Sequence, residues 1–310
     1  MTPAIPNYDR IVATAESPAL NAGALSRVPS PALVIGAIAS VQFGSAVATT
    51  IFKDVGPGGA VLLRLVTATV VLCAVTRPSL AGRSRRQLAL VVVFGLVLAA
   101  MNMTFYHALH RIPLGIAVTL EFVGPLGVAV LGSRRRLDLL WAALAIAGIL
   151  ALTRGDSHGL NALGVALALI AGGCWAAYIL INARVGQAFA DTSGLALAMC
   201  VASIVSLPIG IAEGGSKLLT PHALAIGAAV GILSSAIPYS LELESLRRIA
   251  THLFGVLMSL EPAFAAVAGL IVLGQALSAR ELLGMALVVA ASVGASLAAR
   301  RKQPLAPASP

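Results

Sequence analysis

The chain has 310 residues, of which 58% are hydrophobic and only 11% charged, and its mean hydropathy is +0.94. Soluble domains cover their surface with about 25% charged residues, so an ordinary water-soluble fold is excluded and the lipid bilayer becomes the main solvent. The net charge of +9 does not point to nucleic acid, because the 21 Lys and Arg residues fall mostly in short turns between apolar runs and form no basic stripe interleaved with aromatics.

Residues 1–30 are rich in Pro, Ala and Ser and have no apolar core behind a basic start. They read as a cytoplasmic, disordered tail rather than a cleaved signal. From residue 31 onward, apolar runs of about 20 residues follow one another, each the length a hydrocarbon span requires. The predicted helices lie near 31–51, 58–76, 87–108, 113–132, 137–153, 161–182, 192–211, 222–241, 250–273 and 281–299. Nine connections of roughly eight residues each make tight helical hairpins with no space for a soluble domain. Residues 301–310 read as a second cytoplasmic tail. The three cysteines, Cys73, Cys174 and Cys200, all fall inside apolar runs at spacings that fit neither a disulfide framework nor a zinc site. No cofactor is expected.

Orientation follows from the basic residues. One side collects Arg10, Arg27, Arg77, Arg83, Arg85, Arg86, Arg134, Arg135, Arg136, Arg184, Arg247, Arg248, Arg300, Arg301 and Lys302. The other holds Lys53, Arg111, Arg154, Lys217 and Arg280. The positive-inside rule therefore sets both termini in the cytoplasm, and the regular alternation requires an even number of spans.

The two halves of the chain resemble each other around the fourth and ninth predicted helices. ALHRIPLGIAVTLEFVGPLGVAVLG (108–132) and SLRRIATHLFGVLMSLEPAFAAVAGLIVLG (245–274) share a short basic turn, a small-residue helix, then Leu-Glu and a proline. Glu121 with Pro125 answers to Glu261 with Pro262. Five helices separate the copies, and since five is odd the repeats insert with opposite orientation. The expected fold class is an all-α membrane protein of ten transmembrane helices in two inverted five-helix repeats, 31–155 and 156–300. Inverted repeats recur in transporters, with the solute near mid-membrane at the repeat interface, although simple duplication leaves the same similarity.

The stretches IPLGIAVTLEFVGPLGVAVLGSRRR (112–136), GGCWAAYIL (172–180), SSAIPYSLELESLRRI (234–249) and FGVLMSLEPAFAAVAGLIVLG (254–274) resemble the threonine/homoserine exporters of the drug/metabolite transporter superfamily, which contain paired EamA domains. The resemblance covers residues 31–300. It implies a ten-helix inner-membrane exporter of small amino acids working by exchange with protons. The superfamily has no short universal signature from which individual residues carry over.

An ionised group at mid-bilayer costs about 2.5–3.5 kcal/mol on insertion scales and so asks for a partner or a wet cavity. Arg64, Glu121 and Glu261 are the central cases. A zwitterionic amino acid needs a cation for its carboxylate and an acceptor for its ammonium, which Arg64 and one glutamate supply. The plainer reading is an Arg64–Glu121 ion pair that orders the packing. Proton coupling needs a group that is neutral in one access state and charged in the other, which suits a buried carboxylate but not an arginine. Of the two, Glu121 is the preferred coupling group, because Glu261 sits by a helix break.

Pro125, Pro238 and Pro262 leave the carbonyls of Glu121, Ser234 and Met258 without an intrahelical donor. Such carbonyls face protein, water or ligand, or else mark simple kinks. Gln42, Asn102, Tyr106, His107, Trp175, Tyr178, Ser235 and Tyr239 are further candidates to line a solute path. Each alone also has the reading of core packing or interfacial anchoring. Trp175 and Tyr178 share a helix face beside Gly172 and Gly173, where another backbone can approach.

Lookalike motifs carry little. Gly155-Asp156-Ser157-His158-Gly159 has the spacing of a nucleophile elbow, but it lies in a loop between membrane helices instead of a strand-to-helix turn. Asn102-Met103-Thr104 is a sequon inside a span. Walker A, dinucleotide-glycine and His-Glu-x-x-His patterns are missing. The function classes left are a secondary transporter of threonine-like amino acids, the same machine with another metabolite or drug as cargo, and a membrane enzyme or sensor. The expected partners are a small-molecule substrate, protons and the lipid bilayer, not nucleic acid.

Overall fold

The computed structural model describes residues 28–131, 136–153, 160–189, 193–246, 248–249 and 251–300. Most of both tails, and the loop bearing the elbow lookalike at 154–159, lie outside the described residues. Within them every regular element is helical. In chain order these are α1 (Ser30–Thr49), α2 (Phe52–Thr76), α3 (Arg85–Leu109), α4 (Leu114–Glu121), α5 (Val123–Leu131), α6 (Arg136–Thr153), α7 (Ala162–Ala188) and α8 (Ser193–Gly214). A 3-10 turn (Gly215–Leu219), α9 (Pro221–Gly231), a π-helical turn (Ile232–Ala236), α10 (Ile237–Leu246), α11 (Thr251–Met258), α12 (Glu261–Leu273) and α13 (Ala279–Arg300) follow.

Seven helical stretches are long and apolar enough to cross a membrane, and three shorter apolar ones, Leu114–Val128, Leu139–Thr153 and Pro221–Ser235, fall where the other predicted spans lie. The chain is a multi-pass membrane protein. Two predicted spans are broken: α4 stops at Glu121 and α5 resumes at Val123, while α11 stops at Met258 and α12 resumes at Glu261. A third, α9 to α10, passes through the π-helical turn just before Pro238, which absorbs the hydrogen bond that proline cannot make.

Local chemistry sets the ends. Ser84 and Gln87 form a reciprocal capping box at the start of α3, with bonds of 3.2 and 2.9 Å. Asn161 caps α7 and Thr220 caps α9, the latter with Pro221 in its first turn. At Gly56 the backbone takes φ 70°, which breaks the opening turn of α2. A side chain there would meet the Glu213 carboxylate as well as an unfavourable φ.

Between helices in lipid there is little hydrophobic gain, so small residues that allow close approach decide the contacts. The main pairs are α2 with α8, α3 with α7, α6 with α13, α3 with α8, α1 with α10, α1 with α12, α2 with α9, α4 with α12, and α4 and α5 with α7. Along the antiparallel α2–α8 seam, a Cβ on Gly210 would touch Leu62, Thr69 Oγ1 and Ser203 Oγ lie 2.8 Å apart, and Cys73 and Cys200 bring their sulfurs to 3.5 Å. Val70, Leu139, Ile146, Ile204, Ile271 and Leu283 point outward on the bundle surface, as lipid-facing residues do.

Candidate functional site: two glutamates at helix breaks

Both candidate carboxylates sit where a span is interrupted. Glu121 is the last residue of α4 and Glu261 the first of α12. They are buried at 9% and 7% exposure, so neither faces lipid. Glu121 lies against α7: a Cβ on Gly172 would come within 2.6 Å of the Glu121 carbonyl, and a Cβ on Gly124 would press still closer on the Gly172 carbonyl. Only glycines let the α4–α5 junction and α7 meet there. The carboxylates of Glu121 and Glu242 are both within electrostatic range of Glu261.

Around them the predicted residues distribute as follows. Gln42 of α1 is 2% exposed and donates from Nε2 to Glu261 Oε2 at 3.4 Å, while its Oε1 is buried without a partner among the described residues. Arg64, half-buried on α2, donates to the Tyr106 hydroxyl at 3.2 Å and lies 5.5 Å from that ring's centre. Its charge acts on Glu121, yet among the described residues no carboxylate comes within the 4.0 Å of an ion pair with it. Arg64 is thus held by a phenol and not by a carboxylate. Tyr106 is fully buried against Phe52 and Phe105.

Asn102 is buried and bonds back to the Leu98 carbonyl at 2.8 Å, so the sequon is closed to modification. Trp175 packs edge-on to Phe122 at the α4–α5 junction, with centroids 5.4 Å apart. Tyr178 stacks instead on Phe94 of α3 at 5.3 Å. Ser235 is buried in the π-helical turn, beside Ser234, whose hydroxyl has no partner among the described residues. Tyr239 falls on α10, and its side chain lies outside the described residues.

His107 stands apart, near the end of α3. Its Nδ1 is 2.8 Å from the Met103 carbonyl and its Nε2 is 2.9 Å from Glu213 Oε1. Glu213 Oε2 accepts from the Gly58 amide at 2.7 Å, so one carboxylate joins α2, α3 and α8 at this end of the bundle. Three participants escaped sequence reading. Glu213 and Glu242 fall just beyond the predicted spans, because α8 and α10 run on past the apolar run. Gln275, in a loop, accepts from the Leu114 amide at 2.9 Å and fixes the start of α4. No spacing in the sequence marks that cap.

Comparison with known proteins adds to this geometry. Residues 162–297 match the EamA-like transporter family. The threonine/homoserine exporter RhtA of Salmonella typhimurium (strain LT2) is 42% identical over 269 residues, which is 86% of this chain and 90% of that one. The chain belongs to the EamA-like transporter family. The RhtA of Escherichia coli (strain K12) is 41% identical over 273 residues, covering 87% and 92% of the two chains. A more distant family relative is the uncharacterized transporter YwfM of Bacillus subtilis, 27% identical over 69% of this chain and 75% of its own. A crystal structure superposes with a TM-score of 0.60 over 88% of this chain and 99% of that one at 19% identity, a likeness of fold alone. The similarity to these exporters extends well beyond the residues that the family model matches.

Proposed function

We propose that this chain is a secondary transporter that exports small neutral amino acids of the threonine and homoserine class across the inner membrane in exchange for protons. The observation that carries the reading is the 41–42% identity to threonine/homoserine exporters over 86–87% of the chain. The reading takes 31–155 and 156–300 as two inverted five-helix repeats, with 1–30 and 301–310 as cytoplasmic tails. Exchanging each span for the one five later supports it, since most packing partners are preserved. The pairing of α3 with α7 becomes that of α10 with α1, and α3 with α8 becomes α9 with α2. Likewise α4 and α5 with α7 become α12 with α1, while α2 with α8, α4 with α12 and α6 with α13 map onto themselves.

In this mechanism Glu121 and Glu261 take up and release the proton, while Arg64 keeps its charge and serves the solute carboxylate. Rocking of one repeat against the other exposes the glutamates to each side in turn. Counterflow of labelled threonine and homoserine in proteoliposomes, with a pH gradient imposed and then collapsed, tests it directly. Accumulation that follows the gradient and leaves the solute chemically unchanged is the expected result. A protein that moves neither amino acid but moves another metabolite retains the exchanger and changes its cargo; chemical conversion of the solute selects a membrane enzyme instead.

A further inference from the structure

The amide of Gln42 is unlike the other polar groups around the glutamates. It has a fixed polarity, one end donating and the other only accepting. Its donor end already meets Glu261 at 3.4 Å. Its acceptor end, on a residue 2% exposed, is buried with no donor among the described residues. A hydroxyl such as that of Ser234 can rotate to find a partner, but an amide oxygen can only wait for a donor to arrive. Leaving it unpaired carries a desolvation cost, which an arriving donor returns.

We propose that Gln42 is the positioning residue that converts the proton on Glu261 into a change in what the site offers its solute. This rests on the exchange reading above and deepens it. An ionised Glu261 only accepts, so Gln42 must present Nε2 to it and Oε1 to the site. A protonated Glu261 keeps an acceptor oxygen but gains an O–H donor; giving that proton to the otherwise unpaired Oε1 turns the amide over, so that Oε1 faces the carboxyl and Nε2 faces the site. A solute ammonium or hydroxyl finds an acceptor in the first state. In the second an ammonium finds only another donor. Solute and proton therefore oppose each other at one amide, which is the sign that export in exchange for protons requires. The charged and titratable groups bearing on Glu261 are Glu121 from α4 and Glu242 from α10, with Arg64 acting through Glu121.

The test is equilibrium binding of labelled threonine to the purified full chain across pH, for wild type and for Gln42→Met, which keeps length and volume but not polarity. Wild type is expected to bind more weakly as pH falls through the range where Glu261 takes its proton. Gln42→Met is expected to bind about tenfold more weakly than wild type above that range, the loss of one hydrogen bond to a charged donor, to approach wild type below it, and so to lose that pH dependence. Gln42→Asn, whose amide falls short of Glu261, provides the second arm if the methionine protein aggregates, with the same loss expected. Retention of the wild-type pH profile by either variant overturns the proposal. Failure of wild type to bind threonine or homoserine bears on the cargo alone. In that case the infrared carbonyl band of protonated Glu261, assigned by its loss in Glu261→Gln, decides: displacement in Gln42→Met upholds the contact, and an unmoved band overturns it.

Discussion

Single residues here are governed by the cost of placing charge and polarity in hydrocarbon. Glu121 and Glu261 stay because each is buried among helices at a break, where backbone polarity is already available. Glu121→Gln and Glu261→Gln remove the titrating group at nearly constant shape. Each is expected to insert normally and to lose gradient-driven export; full pH-dependent transport by both would remove the carboxylates from the mechanism. Gly56 offers a test independent of transport. Gly56→Ala forces a Cβ into a left-handed conformation and against Glu213, and the expected loss is about 1–3 kcal/mol. Thermal unfolding in detergent measures it, and an unchanged midpoint rejects the role given to Gly56. At this scale the sequence was most informative about acids inside apolar runs. It was silent on Glu213 and Glu242, whose helices outlast their apolar stretch, and on the loop residue Gln275, whose cap is made by the fold alone.

Elements are defined less by propensity than by interruption. The predicted spans at 113–132 and 250–273 were legible as apolar length. That each is two helices was foreshadowed only by Pro125 and Pro262, and the breaks fall three and two residues before those prolines, between the ends of the helices. The seams between elements are set by glycine. Gly172→Val drives a branched side chain into the Glu121 carbonyl and is expected to separate α7 from the α4–α5 junction, lowering transport and thermal stability together by an overpacking penalty of about 1–3 kcal/mol. Along α2 and α8, a polar contact such as Thr69–Ser203 contributes on average only about 0.6 kcal/mol in a membrane bundle. Close approach, not that bond, therefore sets their register. Copper-phenanthroline oxidation of the native protein is expected to link Cys73 to Cys200 and spare Cys174. A cross-linked peptide from any other cysteine pair speaks against this register.

For the whole molecule, composition excluded a soluble fold, the recurring apolar runs of about 20 residues identified the bilayer and the helical class, and the self-similarity of 108–132 and 245–274 pointed to two halves. Which helices touch was not readable, because small residues that permit close approach look the same on a lipid-facing side as on a packed one. The regularity of the helix pairing under a shift of five spans is a property of three dimensions. The charge distribution makes one further prediction at this scale. Reporter fusions after Lys302 should be active as cytoplasmic reporters and inactive as exported ones, and fusions in the turn near Lys217 should behave oppositely. A reversed result inverts every assignment of side.

The Glu213 carboxylate grips the Gly58 amide with one oxygen and the His107 ring with the other. Parting α2 from α8 at this end of the bundle strips the first partner, and parting α3 strips the second. A carboxylate left with half its contacts gains little from a half-opened geometry, so the two departures favour occurring together. One side chain, shared three ways, ties the partings of these helices to one another.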